Sequence, residues 1–186
     1  MRVQAATVRL RDAYVERHFG IEGRQKFRQA ASSELRNLLS TAADPQGGWV
    51  DFELFIEATV LADRLFGTGD LKLAWDIGKF ASNYAVGVWK RLIMRHVRPA
   101  TLLGLTAGVW SHHYDGGRLV SRSFGTHGLH ITIADFPRPH RAHCLSIGGW
   151  MEGSLVMGPR KNILVRELAC RARGEATCDF QLGWED

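Results

Sequence analysis

The chain has 186 residues, 45% of them hydrophobic and 23% charged, a mix that excludes a disordered or fibrous protein and suits a single domain with a real core. Lys and Arg number 24 against 19 Asp and Glu, a formal charge of +5. The arginines are spread along the chain without a recognition helix, zinc-finger spacing or aromatic-basic stacking motif, so nucleic-acid binding is not expected.

In chain order, the apolar positions between Thr7 and Ser40 recur at spacings of three and four, interrupted near Gly20 and Gly23, which predicts two amphipathic helices joined by a turn. Asp44-Pro45-Gln46-Gly47-Gly48 reads as a turn. Asp51 is placed to N-cap a helix from Phe52 to Leu65 that stops near Gly67. Gly69-Asp70 precedes a helix from Leu71 to about Val86, with a continuation from Val88 to His96 and a short helix after Pro99.

After Gly108 the texture changes. Val109–Tyr114, Arg118–Phe124 and Leu129–Phe136 read as strands of an antiparallel meander, the clearest being Leu129, Ile131 and Ile133 alternating with His130, Thr132 and Ala134. Cys144–Met157 reads as an apolar helix in which Gly148, Gly149 and Gly153 permit close packing. Asn162–Cys170 and Cys178–Trp184 form a closing hairpin around the turn Arg171–Thr177. The fold class expected is α+β: N-terminal helices, then an antiparallel sheet packed against helices. No apolar run reaches the ~18–20 residues of a membrane span and Met1–Arg11 lacks an apolar leader, so a cytoplasmic location is expected.

Three cysteines are an odd number for a disulfide framework, which leaves a metal site or buried thiols. Cys170 and Cys178 flank the hairpin turn and Cys144 opens the preceding helix. Three thiolates and a carboxylate would close a tetrahedral shell, and ordinary buried cysteines fit the spacing equally well. Glu167 stands three positions before Cys170, which on a regular strand puts it on the opposite face, so a bulge is required. Among the eight histidines, His143 is the substitute for Glu167 as a ligand, and the rest read as surface or core residues. Phe80, Tyr84, Trp89, Trp110, Tyr114, Trp150 and Met151 gather at the helix-to-sheet junctions, where they either line an apolar cavity or pack a plain core.

The stretch from Cys144 through Gly153-Ser154, with Val165-Arg-Glu-Leu-Ala-Cys170 and Cys178-Asp-Phe, resembles the 4-vinyl reductase domain family, and is similar in particular to the sensor domains of phenol-responsive transcriptional activators. It also resembles standalone myxobacterial-type proteins of the same superfamily. The resemblance is specific over Cys144–Trp184 and weaker from Asp51 to Phe136. It implies a structural zinc ion held by Cys144, Glu167, Cys170 and Cys178, and a small hydrophobic or aromatic ligand between sheet and helices. The superfamily includes haem nitric-oxide sensors and TRAPP core subunits. The Tyr-x-Ser-x-Arg motif of the haem sensors is absent, so haem is not expected.

Together these readings give one domain over 1–186, with 1–45 a helical N-terminal extension serving dimerisation and 46–186 the core. The function expected is a non-enzymatic small-molecule sensor that signals through a homodimer or a protein partner. The alternative is a protein-interaction module of TRAPP-like type without a ligand. An accessory role in tetrapyrrole metabolism rests on the family's name alone.

Overall fold

The computed structural model describes residues 1–41, 48–84, 108–157 and 160–185. Most of the turn expected at Asp44–Gly48, the continuation Val88–His96, the short helix after Pro99 and Trp89 lie outside the described residues. The described chain is α+β, with N-terminal helices and an antiparallel sheet, as its composition and patterning predict. No helix among these residues is long and apolar enough to cross a membrane.

Strand β1 (Arg2–Gln4) leads into helix α1 (Ala5–Ala30), followed by α2 (Ser33–Ser40), β2 (Trp49–Asp51), α3 (Phe52–Phe66) and α4 (Leu73–Tyr84). Helix α1 kinks at Gly20, whose φ of 72° is a conformation glycine adopts without strain. After the kink the second half folds back on the first through Asp12, buried at 4% exposure. Its carboxylate accepts from Arg24 Nε at 2.8 Å and from Arg28 Nε and Nη2 at 2.8 and 2.7 Å. Ser32 caps α2 by accepting from the Leu35 amide, and Asp51 caps α3 by accepting from Glu53. β1 and β2 pair antiparallel, Val3 opposite Val50, a short ladder that the sequence reading does not contain.

Helix α4 begins two residues later than predicted. Leu71 takes a φ of +67°, and the Asp63 carboxylate, one helix back, accepts from the amides of Leu71 and Leu73 at 3.0 and 3.1 Å. The strand expected at Val109–Tyr114 is corrected: residues 108–113 are helical and Tyr114 makes an isolated bridge to Val3. Trp110 and Tyr114 stack at 4.4 Å between ring centroids, which four-residue spacing achieves on a helix and an extended strand does not.

β3 (Arg118–Ser123), β4 (Gly128–Ala134), β5 (Lys161–Ala169) and β6 (Cys178–Glu185) form one antiparallel sheet in the order β3-β4-β6-β5. Helix α5 (Arg141–Val156) connects β4 to β5 and packs along α4. The buried face of the sheet (Leu119, Leu129, Ile131, Ile133, Phe180, Leu182, Trp184) shares one core with Val8 and Val15 of α1, Phe55 of α3 and Ile147 and Met151 of α5. At ~25 cal/mol per Å² of buried apolar surface, this continuous core is the main stabilising term.

Candidate functional site

Between α1, α3, α4, α5, the 108–113 turn and the sheet lies a cavity of about 90 Å³. That is several times the ~10–15 Å³ that admits one water. Leu10, Phe55, Ala81, Ile131 and Ile147 make its walls apolar, and Thr7, Arg11, His113 and Ser146 bring polar atoms to it. Of the aromatic residues singled out in the sequence, Trp110, Tyr114 and Trp150 line this cavity. Phe80 instead packs edge-on against Tyr14 at 5.5 Å, Tyr84 is 62% exposed, and Met151 is buried in the core beside the cavity residues. Burial pushes the Tyr114 hydroxyl far above its ordinary range and draws the His113 imidazole down.

Arg11 was missed by the sequence reading. It is 1% exposed, and its Nε donates to Thr59 Oγ1 at 3.1 Å, Nη1 to the Thr7 carbonyl at 2.6 Å and Nη2 to Ser146 Oγ at 2.9 Å. Its guanidinium carbon lies 3.7 Å from the centroid of the Phe55 ring, a cation–π contact. Burial draws its pKa down to about 10. The signal was present: Arg11 falls between Val8 and Val15 at spacings of three and four, on the stripe that should be apolar.

A second cluster lies where α5 meets the closing hairpin. Cys144 Sγ is 3.3 Å from Cys170 Sγ and 3.5 Å from Cys178 Sγ, with all three residues buried. The Cys144 and Cys178 thiols share a hydrogen bond, and the Arg171 amide donates to Cys178 Sγ at 3.4 Å. These contacts draw the Cys178 thiol below its ordinary range, the Cys144 hydrogen bond first, against the opposing effect of burial. The Cys144 thiol is pushed up by its hydrogen bond with Cys178, and by burial.

Glu167 reaches the edge of this cluster because β5 bulges, with register shifting between Glu167 and Ala169 against β6. Its carboxylate is engaged: Arg141 Nη1 donates to both oxygens at 2.5 and 2.6 Å and lies 3.5 Å from Cys170 Sγ. The three sulfurs lie within 4.8 Å of one another and could hold a metal ion, and Glu167 is not in that group. Neither is His143, which sits in an aromatic cage, stacked on Phe136 at 4.5 Å and edge-on to Phe52 and Tyr114 at 5.2 Å each. His140 N-caps α5 by accepting from the Ala142 amide, and His112 and His113 lie on the 108–113 turn.

No protein-family model matches the chain, and no curated relative matches it. Solved structures do match across its whole length. An H-NOX protein from S. oneidensis in the Fe(II)NO ligation state has a TM-score of 0.70 at 12% identity, covering 98% of this chain and 99% of that one. An Fe(II) unliganded H-NOX protein from K. algicida has a TM-score of 0.68 at 10% identity, covering 98% and 97%. A structure from a study of heme distortion in the H-NOX family has a TM-score of 0.70 at 10% identity, covering 98% and 95%.

At 10–12% identity these likenesses establish the fold. They also correct two expectations. The resemblance to the 4-vinyl reductase family is overturned, since no family model supports it and the structural neighbours are H-NOX domains. The structural zinc that rested on it falls too: the neighbours' titles name iron and heme, and Arg141 neutralises the Glu167 carboxylate that was to complete the shell.

Proposed function

We propose that this chain is a small-molecule sensor domain rather than an enzyme, with its ligand in the cavity between the helices and the sheet. The observation that carries this reading is the cavity itself: about 90 Å³ of space bordered by Phe55, Trp110, Ile147 and Trp150. An apolar pocket of this size at the junction of four helices and a sheet, with a few polar groups converging on it, has the character of a small-molecule site. Its fold is that of structures titled as H-NOX proteins, one Fe(II) unliganded and one in the Fe(II)NO ligation state. One domain over 1–186 is part of the proposal, and it is supported by Phe27, Leu35 and Leu39 of the N-terminal helices lying in the common core. Output through a homodimer or protein partner completes it.

Haem was tested against these residues. An iron porphyrin needs an axial side chain and a pocket of its own size. The described cavity offers His113 as an imidazole, and its about 90 Å³ falls well below the ~300 Å³ at which pockets for drug-sized ligands begin. A porphyrin does not fit the described cavity, and the ligand supported is of one-ring or short-chain size.

Tryptophan emission tests this reading, because Trp110 and Trp150 border the cavity. Titration with benzyl alcohol is expected to shift the emission and raise the melting temperature, and Ala81→Leu, which fills the space, should abolish both. Wild-type protein that responds to neither benzyl alcohol nor benzoate would remove the cavity as a binding site.

We also propose Cys144, Cys170 and Cys178 as ligands to a soft cation, with no ion assigned. Elemental analysis of the purified protein is expected to find one thiophilic metal per chain, lost together with a measurable part of the stability in Cys170→Ser, since metal ligation by thiolates contributes folding free energy. Equal metal content and melting in the variant would rule the site out.

A further inference from the structure

We infer that the cavity ligand is a small organic monoanion, a carboxylate carried on one ring or a short apolar chain, and that Arg11 is the group that recognises it. The inference rests on the cavity reading above and deepens it. A guanidinium removed from water costs several kcal/mol unless an anion or a full set of acceptors compensates it. Arg11 is 1% exposed and borders the cavity, and among the described residues no carboxylate is paired with it. Its three hydrogen-bond acceptors are all neutral: two hydroxyls and a carbonyl.

These three bonds use one N–H on each nitrogen. A guanidinium carries five, so among the described residues each terminal nitrogen keeps one N–H without a partner, and a carboxylate is the group with two oxygens to accept from both. The guanidinium is held rigid for this by Thr59, Thr7 and Ser146, contributed by α3, α1 and α5, and by stacking on Phe55. Such a cation is preorganised, so binding costs little further side-chain entropy.

Nothing in the neighbouring sequence supplies the missing charge. Residues 85–107, which join α4 to the 108–113 turn, contain Lys90, Arg91, Arg95 and Arg98 and no aspartate or glutamate. Asp12, next to Arg11 in sequence, is already taken by Arg24 and Arg28. With Leu10, Ala81 and Ile147 around the rest of the cavity, the ligand that matches is anionic at one end and apolar over its body.

Calorimetric titration of the full chain with benzoate and with benzyl alcohol, a neutral molecule of the same size, tests this at pH 7.5. Wild-type protein is expected to bind benzoate at least tenfold more tightly. Arg11→Met should lose that preference while retaining benzyl alcohol, and Arg11→Lys, which keeps the charge without the fork, should retain part of it. Should Arg11→Met fail to fold, the wild-type preference and Ser146→Ala, which frees one arm of the fork, still decide the matter. Equal or tighter binding of benzyl alcohol by the wild type would overturn the anion assignment and leave the cavity reading standing. Binding of neither probe would remove both.

Discussion

Gly149→Ala is expected to cost more than about 3 kcal/mol and to lower the melting temperature by at least roughly 6–12 °C, on the scaling of ~2–4 °C per kcal/mol for a chain of this size. Helices α4 and α5 meet backbone to backbone. A β-carbon on Gly149 would lie 1.9 Å from the Trp75 carbonyl oxygen, and one on Gly78 would lie 1.9 Å from the Ser146 carbonyl oxygen. At Gly153 it would fall 2.8 Å from the Lys79 carbonyl oxygen. These obstacles are main chain, so no rotamer change relieves them and the helices must separate.

These main-chain contacts recur at 75, 78 and 79 on α4 against 146, 149 and 153 on α5, along one face of each helix. Ordinary overpacking in a core costs about 1–3 kcal/mol, and a backbone clash belongs above that range. Because Ser146, Ile147 and Trp150 lie on the same helix and border the cavity, the variant should also lose ligand response. Gly108→Ala is the control. Among the described residues nothing lies within 4 Å of its added β-carbon and the residue is helical, so the change should be neutral or stabilise by about 0.5–1 kcal/mol. Thermal melts by circular dichroism decide the point, and a Gly149→Ala melt within about 2 °C of wild type would show that the helices do not cross this closely.

That crossing was legible in the sequence, since Gly148, Gly149 and Gly153 on an apolar helix have few other uses. So was the sheet, because Leu129, Ile131 and Ile133 alternate without exception and lie on the buried face. The segment 109–114 was misread for a physical reason: Trp110 and Tyr114 share a face in both a helix and a strand, and only their stacking distance separates the two. Glu167 could be placed near the cysteines only by supposing the bulge that β5 has.

Arg11 shows what local pattern cannot supply. Its acceptors Thr59 and Ser146 stand 48 and 135 residues away, so the sequence marks it as an odd cation on an apolar stripe without revealing what surrounds it. The family resemblance failed in the opposite way. Four positions at matching intervals are few constraints, and a hairpin preceded by a helix can meet them without common descent.

Stability is expected to fall by about 2 kcal/mol between pH 6.5 and pH 5 through His143 alone, and by about 5 kcal/mol as pH approaches 3, at ~1.4 kcal/mol per pH unit. The imidazole is 2% exposed, its Nε2 has no hydrogen-bond partner among the described residues, and its pKa is drawn from 6.5 down to about 3, first by burial and then by Arg11 and His140. In the unfolded chain the ring takes a proton near pH 6.5; in the folded chain it stays neutral down to about pH 3. Between those values the unfolded state binds more protons, so the folded state loses ground as the pH falls.

A domain of this size has about 5–15 kcal/mol in total, so this one ring takes a large share of its acid tolerance. His143→Phe should remove the effect with little loss of packing, because Phe52, Phe136 and Tyr114 already surround the ring as aromatic neighbours. Urea unfolding at pH 7.5 and pH 5 measures it: the variant should lose about 2 kcal/mol less than wild type between the two. Parallel profiles would mean that the imidazole is protonated, and solvated, in the folded protein. The same ring links acid tolerance to the ligand site, since the positive charge that discourages its protonation is partly that of Arg11. An anion bound at Arg11 would offset that charge, so benzoate should ease the protonation of His143.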